Sequence, residues 1–295
     1  MPAELIDGKA IAADIRAEVA RDTAELASRG VIPGLTVVLV GDDKASATYV
    51  GAKEKASVAA GMSGTTLRLP STTTQAELLA VVERLNEDSA VHGILVQMPL
   101  PPQVDSHRVL LAIRPDKDVD GFHPVNVGNL VANIPSPRPC TPSGIIEMLK
   151  RYRIPMTGRR AVVVGRSDIV GKPMALLLLH ESATVTVCHS RTADLAGECR
   201  RADILVAAMG RPAFVTADFI QPGATVIDVG INRLDDAQKV SIFGDAPART
   251  VIGDVHPTQV EKVAGAYTPV PGGVGPLTIA MLMVNTIRAA ELHCR

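Results

Sequence analysis

One stretch, residues 160–173, limits the choice of fold more than any other part of the chain. Ala161 to Val164 is an uninterrupted apolar run of the kind that fills a buried parallel strand. The run ends at Gly165, and a second apolar segment begins near Gly171 and Pro173. A strand, a glycine turn and a helix would aim backbone N–H groups and the positive end of the helix at a phosphate. The stretch therefore predicts an α/β fold whose turn is either a nucleotide phosphate site or a tight turn that binds nothing. The two glycines are spaced differently from the usual G-x-G-x-x-G.

Length, charge and cysteine content limit the class of protein. With 295 residues the chain is long enough for two domains, and its formal net charge is −1 with Lys and Arg spread along it. This distribution argues against a nucleic acid partner and against a polybasic membrane contact. No apolar run approaches membrane-spanning length, and the N-terminal residues predict neither a secretory signal nor a transit peptide. Because the cysteines form no C-x-x-C pair, we expect reduced thiols, a cytoplasmic protein and no metal site. The cysteines are Cys140, Cys188, Cys199 and Cys294.

Strand and helix patterns alternate along the chain, which predicts parallel sheets with helices on both faces. The predicted strands are residues 35–40, 65–69, 93–97, 161–164, 184–187, 204–207 and 225–229. The predicted helices are residues 7–29, about 46–60, one opened by a capping box at Thr74, one capped by Thr141, one beginning near Met174, and 276–292. Residues 233–250 are weakly patterned and predict a hairpin or a surface excursion.

A proline-rich segment marks the boundary between two domains. Four prolines lie between Asn133 and Pro142. We therefore place one domain at residues 1–138, completed by a C-terminal helix at 275–295, and a second domain at residues 139–274.

Three side chains share one face of the second predicted helix. Ser46, Tyr49 and Lys53 lie three and four positions apart, so Tyr49 and Lys53 are one turn apart. A lysine beside an aromatic ring is commonly a solvated surface pair. The other interpretation is an amine that is shielded from water, neutral for part of the time and used as a proton shuttle. The spacing alone leaves both interpretations open.

An acidic segment, residues 116–121, has the letters DKDVDG of a calcium loop. The calcium template requires a glutamate at its twelfth position, where this chain has Val127, so we exclude calcium. The segment is then either a solvated acidic turn or the site of one carboxylate that accepts hydrogen bonds from a ligand. Asp120 is the best candidate for that carboxylate.

Two loops rich in proline and glycine follow apolar stretches. They are QMPLP from Gln97 and TPVPGGVGP from Thr268. Prolines stiffen a loop, and glycines let the backbone lie close to a flat ligand. Either loop is also compatible with a simple tight turn, but the density of PGGVGP favours a ligand wall.

The segment after the second strand of the second predicted domain reads CHSRT. An NAD site usually has an acidic residue at this point to bind the ribose 2′-hydroxyl, whereas an NADP site uses a basic residue. The first acid here is Asp194, while Ser190 and Arg191 are suited to hydrogen bonding and pairing with a 2′-phosphate. His189 is as compatible with a structural role as with a ligand contact.

Taken together, these stretches resemble the bifunctional methylenetetrahydrofolate dehydrogenase/methenyltetrahydrofolate cyclohydrolase (FolD) family. The resemblance covers nearly the whole chain in order. It rests on the segments TYVGAKEKA (48–56), GILVQMPLP (93–101), PDKDVDGFHPVNVGNL (115–130), PCTPSG (139–144), VVVGRSDIVGKP (162–173), TVTVCHSRT (184–192) and TPVPGGVGPLT (268–278).

The resemblance implies a fold and a set of residue roles. The fold is a three-layer α/β folate and catalytic domain, a Rossmann-like NADP-binding domain and a cleft between them. The implied catalytic residues are Lys53, Gln97, Tyr49 and Asp120. Lys53 is the implied catalytic lysine, with Gln97 hydrogen-bonded to it and Tyr49 packed against the folate. Asp120 would hold the pterin N–H groups. The implied substrate-binding residues are Tyr49, Ser46, Gln97, Asp120, Pro271, Gly272 and Gly273, and the implied cofactor-binding residues are Gly165, Arg166, Ser167, Ile169, Gly171, Ser190, Arg191 and Ile231.

The implied reaction has two steps, and it belongs to the one-carbon metabolism that serves purine biosynthesis. First, 5,10-methylenetetrahydrofolate is oxidised by NADP⁺ to the methenyl cation; then water adds and the ring opens to 10-formyltetrahydrofolate. Tetrahydrofolate derivatives are therefore the implied substrates, NADP the cofactor and a homodimer the implied assembly. Two other functions remain open from the residues: an NADP-linked dehydrogenase of an amino acid or hydroxy acid, and a nucleotide-sensing protein without turnover.

Overall fold

A computed structural model describes residues 3–244 and 249–293, with the backbone alone for Ala45. The chain forms two compact units. Unit 1 comprises Met1–Ala12 and Thr141–Thr278, and unit 2 comprises Ala13–Cys140 and Ile279–Arg295. The N-terminal segment that the sequence placed in the first domain therefore belongs to unit 1, because its strand pairs within that unit's sheet. The C-terminal residues belong to unit 2, which is also where the predicted last helix was placed.

The strands and helices have the following bounds. The strands are β1 Glu4–Leu5, β2 Gly34–Val40, β3 Ser63–Leu69, β4 Gly93–Val96, β5 Arg160–Val164, β6 Thr184–Cys188, β7 Ile204–Ala207, β8 Thr225–Asp228, β9 Asn232–Arg233, β10 Val251–Ile252 and β11 Ala266–Tyr267. The helices are α1 Gly8–Ser28, α2 Lys44–Ala59, α3 Gln75–Glu87, α4 Ser106–Ala112, α5 Pro124–Val131, α6 Cys140–Arg151, α7 Gly171–His180, α8 Leu195–Cys199, α9 Asp236–Phe243, α10 Pro257–Val263 and α11 Val274–His293.

Unit 2 is built on a parallel sheet in the order β3-β2-β4. Every residue of the central strand β2 and of β4 is buried, as expected for parallel strands covered on both faces. Helix α3 packs Leu78, Val82 and Leu85 into the core beside these strands. The capping box predicted at Thr74 is confirmed: Thr74 N donates to Glu77 Oε2 at 2.8 Å, and Glu77 N donates to Thr74 Oγ1 at 3.3 Å.

Unit 1 is built on a six-stranded sheet in the order β1-β11-β8-β7-β5-β6, with every neighbouring pair parallel. The predicted strand at 161–164 is confirmed as the main part of β5, which lies between β7 and β6. Parallel pairing places the carboxyl ends of β5, β6, β7 and β8 at one edge of the sheet, called the carboxyl edge below. Ligands of open α/β sheets bind at this edge.

Several predicted elements differ from the structure in detail. The helix predicted to be capped by Thr141 begins at Cys140, and Thr141 Oγ1 lies 2.9 Å from Thr278 Oγ1. In the weakly patterned region, β9 and β10 form an antiparallel pair with α9 between them, while residues 245–248 lie outside the described residues. Strands β1 and β11 were not predicted, because two residues are too few to show a strand pattern. Within residues 3–244 and 249–293, every helix is too short or too polar to cross a bilayer.

Candidate active site and cofactor edge

A lysine and a glutamine meet at the carboxyl end of β4. Lys53 lies on α2, whose first turn is capped by Asp43 through a 2.7 Å hydrogen bond from Ser46 N. Lys53 Nζ donates to Gln97 Oε1 at 3.0 Å, and Gln97 follows β4 directly. Gln97 Nε2 donates to Met98 O at 2.8 Å, which fixes the carbonyl of the amide toward the lysine. The half-buried ammonium is thus held by a neutral acceptor rather than by a carboxylate.

The other two side chains on this face of α2 have different environments. Ser46 is buried, and its hydroxyl donates to Met98 O at 3.4 Å. The Tyr49 ring is 48% exposed. The structure therefore brings Ser46, Lys53 and Gln97 together at the loop after β4 and leaves a ring one turn from the amine open to a flat ligand.

The acidic segment 116–121 turns out to be largely a scaffold. Asp116 accepts two hydrogen bonds from the Arg114 guanidinium at 3.0 and 2.6 Å. Lys117 is 2% exposed, and its Nζ donates to Leu85 O at 3.1 Å and to Asp88 O at 2.7 Å, which satisfies carbonyls at the end of α3. Burial lowers the pKa of Lys117. The interpretation of the whole segment as a solvated acidic turn is therefore wrong for Lys117, which is buried, whereas the Asp116 side chain is 36% exposed in its ion pair with Arg114.

Asp118 completes this scaffold. Its buried carboxylate accepts from Gly121 N at 3.1 Å, from His123 N at 2.7 Å and from Asn126 Nδ2 at 2.9 Å. Burial nevertheless raises the pKa of Asp118. These bonds fix the turn on which Asp120 lies.

Asp120 is the one aspartate of the segment that has no hydrogen-bond partner within the described residues. Burial raises the pKa of Asp120 to about 6, the positive charge of Lys53 opposes the rise, and the charge of Asp118 adds to it. Asp120 and Lys53 therefore act on each other electrostatically. A carboxylate without an internal partner beside a held amine is suited to accept N–H donors from a ligand.

Two residues near this pair were not singled out from the sequence. Burial raises the pKa of the Cys140 thiol well above its usual range; the charge of Asp120 adds to the rise and that of Lys53 opposes it. Asn285 of α11 donates through Nδ2 to Val119 O and to Arg138 O, both at 2.8 Å. Asn285 thereby fixes the backbone before Asp120 and before Cys140. Its partners are carbonyl groups, which leave no signal in a sequence.

In unit 1, the turn after β5 is closed by glycines and by a serine. Gly165 has a φ of +134°, and a Cβ there would lie 2.1 Å from Ala208 O. A Cβ at Gly171 would lie 2.3 Å from Gly165 O. Ser167 Oγ accepts from Val170 N and from Gly171 N, each at 3.2 Å. The expectation that this turn presents free backbone N–H groups is therefore wrong for those two groups, because the Ser167 hydroxyl already accepts from them.

The side chains exposed around this turn suit a phosphorylated dinucleotide. Arg166, Ser167 and Ile169 are exposed after β5, and Ser190 and Arg191 are exposed after β6. His189 Nδ1 accepts from Arg191 N at 3.1 Å, so His189 shapes the turn that carries both residues. Ile231, after β8, is 55% exposed. The eight predicted cofactor residues all lie at the carboxyl edge of unit 1, with two cations for phosphate groups and a glycine pair that leaves no space for larger residues.

The predicted folate wall lies in the loop after β11, which belongs to unit 1. Pro271 is exposed, Gly272 has a φ of +108°, and Gly273 is buried. A Cβ at Gly8 would lie 1.8 Å from Gly273 O, so this loop packs directly against the start of α1. The role of the three residues in folate binding stays a prediction.

In the described part of the chain, the cysteine thiols form no disulfide and the possible metal ligands form no metal site. Cys140, Cys188 and Cys199 are free and buried, while Cys294 lies outside the described residues. In residues 3–244 and 249–293, no group of three or more His, Cys, Asp or Glu side chains is placed to hold a metal ion.

Comparison with known proteins gives matches over both parts of the chain. Residues 6–120 match the catalytic domain of the tetrahydrofolate dehydrogenase/cyclohydrolase family, and residues 139–294 match its NAD(P)-binding domain. The "Bifunctional protein FolD" of Solibacter usitatus is 57% identical over 297 residues, which cover 97% of each chain. The bifunctional FolD enzyme, a methylenetetrahydrofolate dehydrogenase/cyclohydrolase, from Campylobacter jejuni is 44% identical, with a TM-score of 0.92 over 98% of this chain and 99% of that one.

A third relative was solved with a cofactor. The Trypanosoma brucei methylenetetrahydrofolate dehydrogenase-cyclohydrolase, complexed with NADP and an inhibitor, is 42% identical and has a TM-score of 0.91, covering 100% of this chain and 99% of that one. The matches agree with the two-domain α/β fold and with NADP as the cofactor. The protein is an enzyme with a catalytic domain and an NAD(P)-binding domain. Its similarity to these proteins extends over nearly its full length, and the chain belongs to the tetrahydrofolate dehydrogenase/cyclohydrolase family.

Proposed function

We propose that Lys53 is the proton shuttle of an enzyme that oxidises 5,10-methylenetetrahydrofolate with NADP⁺ and hydrolyses the methenyl product to 10-formyltetrahydrofolate. The observation that carries this proposal is the 3.0 Å hydrogen bond from Lys53 Nζ to Gln97 Oε1. The positive charge of Lys53 also lowers the pKa of Asp120 relative to the effect of burial alone, so the two groups interact electrostatically. Gln97 restrains the amine without neutralising it by a salt bridge. The remaining positions on Nζ are available to water and substrate.

In the hydrolytic step the attacking water loses both of its protons, and one proton must reach the departing nitrogen. Water forms a bond to the methenyl carbon, and the amine of Lys53 takes one of the protons that the water loses. The bond from that carbon to one ring nitrogen then breaks as the new hydroxyl becomes the formyl carbonyl and releases its proton to the solvent, and Lys53 returns a proton to the departing nitrogen. Such general acid–base catalysis contributes about a hundred- to ten-thousand-fold to a rate.

The oxidative step requires alignment rather than a side-chain base, because the folate nitrogen lone pair expels the hydride. When bound, NADP⁺ supplies the hydride acceptor. The chain orients the folate through Tyr49, Ser46, Gln97 and Asp120, with Pro271, Gly272 and Gly273 as a further wall. It holds the cofactor through Gly165, Arg166, Ser167, Ile169, Gly171, Ser190, Arg191 and Ile231.

A spectroscopic assay tests this function. We expect the near-ultraviolet absorbance of NADPH to grow when the protein is mixed with 5,10-methylenetetrahydrofolate and NADP⁺. An increase in NADPH absorbance with an amino acid or a hydroxy acid in place of the folate would support a different NADP-linked dehydrogenase. Binding of NADP⁺ without an increase in NADPH absorbance with any of these substrates would support a sensor without turnover.

Folate binding should depend on pH through Asp120. Because the pKa of this carboxyl is about 6, its ionised, hydrogen-bond-accepting form increases as the pH rises through that value. The KM for the folate is therefore expected to fall between about pH 5 and pH 7 and then level off. In Asp120→Asn the KM should be higher and flat over this range. A wild-type KM that is independent of pH in this interval would contradict the role of Asp120.

We also propose a division of labour between the two units and a homodimeric, cytoplasmic enzyme. Unit 2 carries Lys53, Gln97 and Asp120 and would be the folate domain, and unit 1 would be the NADP domain.

Strand β6 is an edge strand of unit 1, and Val187 on it is 41% exposed, which supports pairing with a second copy. Light scattering on enzyme taken from the cytoplasmic fraction should then give twice the monomer mass of 31.0 kDa.

A further inference from the structure

A fully buried carboxylate, Asp254, lies behind the carboxyl edge of unit 1. Asp254 is 0% exposed. Its Oδ2 accepts from Met209 N at 2.7 Å and from Gly210 N at 2.9 Å, and its Oδ1 accepts from Arg211 N at 2.8 Å. Three consecutive backbone N–H groups thus converge on one side chain. They belong to the loop that follows β7.

The same carboxylate also fixes the loop that follows β8. Asn232 Nδ2 donates to Asp254 Oδ1 at 2.9 Å. A Cβ at Gly230 would lie 2.3 Å from Asp254 Oδ1, so the backbone of this loop lies directly against the carboxylate. Ile231, a predicted cofactor contact, lies between Gly230 and Asn232 and is exposed. Asp254 therefore joins two loops of the carboxyl edge.

A second buried carboxylate holds Asp254 in place. Asp228, at the end of β8, accepts from Asp254 N at 2.8 Å, from Val255 N at 2.9 Å and from Gly230 N at 3.0 Å. A Cβ at Gly253 would lie 1.8 Å from Asp228 Oδ2. Burial raises the pKa of Asp228 to about 7, and the charge of Asp254 adds to the rise. The backbone that carries Asp254 is therefore itself fixed by a neighbouring carboxyl group.

The loop after β7 reaches the glycine turn after β5. A Cβ at Gly165 would lie only 2.1 Å from Ala208 O, so the two loops are in close contact. A shift of residues 208–211 would consequently change the space at Gly165, and a shift of residues 230–232 would move Ile231. Both loops donate hydrogen bonds to Asp254, while Lys53, Gln97 and Asp120 belong to unit 2.

We propose that Asp254 is a positioning residue for NADP⁺, which sets the affinity for the cofactor by holding the loops after β7 and β8 in one arrangement. The role is indirect, because the buried carboxylate is enclosed by the backbone that it orders. This inference rests on the proposed placement of the cofactor at the carboxyl edge. It goes beyond that proposal in naming a residue that touches neither reactant.

The test compares two reactions of the same variant. Asp254→Asn keeps the shape of the side chain but replaces one acceptor oxygen with an N–H donor, which faces N–H groups. We expect the KM for NADP⁺ in the dehydrogenase reaction, and the dissociation constant from an NADPH fluorescence titration, to rise about tenfold or more. Hydrolysis of methenyltetrahydrofolate without cofactor should stay within about twofold of wild type.

Asp203→Asn is the matched control. Asp203 lies at the opposite, amino edge of the same sheet, where its Oδ2 accepts from Arg160 N at 2.9 Å, and this variant should leave both constants unchanged. If Asp254→Asn fails to fold, Asn232→Ala removes one donor to the same carboxylate and should raise the KM for NADP⁺ severalfold. An unchanged affinity in a folded variant, or an equal loss of both reactions, would overturn the positioning role.

The placement of the cofactor has its own check. Arg191→Ala leaves Asp254 and its loops untouched, so a loss of NADP⁺ affinity in that variant supports the placement whatever Asp254→Asn does. If Arg191→Ala has no effect while Asp254→Asn weakens binding, the predicted placement is wrong and the loops after β7 and β8 alone carry the cofactor site.

Discussion

Replacing Lys53 with methionine is expected to reduce methenyltetrahydrofolate hydrolysis by about a hundred- to ten-thousand-fold. Methionine fills a similar volume but cannot carry a proton. It can therefore neither take a proton from the attacking water nor give one to the departing nitrogen. The dehydrogenase reaction should be affected much less, because the lone pair of the folate nitrogen drives hydride loss. The two rates are measured separately, by the disappearance of the methenyl absorbance and by the appearance of NADPH.

Lys55→Met is the matched control for this substitution. Lys55 lies on the same helix two positions later, and its side chain is exposed. The same change of charge at that position should leave hydrolysis near the wild-type rate. A Lys53→Met enzyme that hydrolysed the methenyl substrate at the normal rate would remove this lysine from the mechanism.

The second large effect is expected in the choice of cofactor. Arg191→Ala removes an exposed guanidinium from the turn after β6. Hydrogen bonds to charged groups contribute about 1.5–3 kcal/mol, so the KM for NADP⁺ should rise about ten- to a hundredfold. The KM for NAD⁺, which lacks the 2′-phosphate, should change by less than about twofold. Initial rates with each cofactor at saturating folate give both values.

Arg159→Ala controls for the loss of one positive charge from unit 1. Arg159 is exposed and precedes β5, so it lies at the amino edge of the sheet. That variant should bind both cofactors as the wild type does. If Arg191→Ala raised the two KM values equally, Arg191 would not be reading the 2′-phosphate.

The fold was largely predictable because its central strands and its helix starts leave local patterns. The buried run 161–164 became the core of β5, and the Thr74 capping box opens α3. Short elements gave no such pattern. Strand β1 forms only because it pairs with β11, a contact between residues far apart in the chain.

The site was predictable only in part. The spacing of Tyr49 and Lys53 showed a shared helix face, but it could not show that Gln97, from a separate strand, accepts the hydrogen bond of the lysine. That contact was expected from the resemblance and is found in the structure. Asp254 was missed, because its partners are mostly backbone N–H groups and any sequence supplies those. Lys117 was missed for the matching reason, since its partners are carbonyl groups.

The pairing of β1 with β11 has a consequence for how the chain is made. Domains commonly fold as units while the ribosome is still extending the chain. Here the sheet of unit 1 pairs β1, at residues 4–5, with β11, at residues 266–267, and unit 2 includes the residues from Ile279 onward. Unit 1 therefore lacks part of its sheet until β11 has been made, and unit 2 lacks a segment until the residues from Ile279 onward have been made. A nascent chain paused before β11 would therefore hold two incomplete units, and the unpaired edge of β8 would make it a client of chaperones.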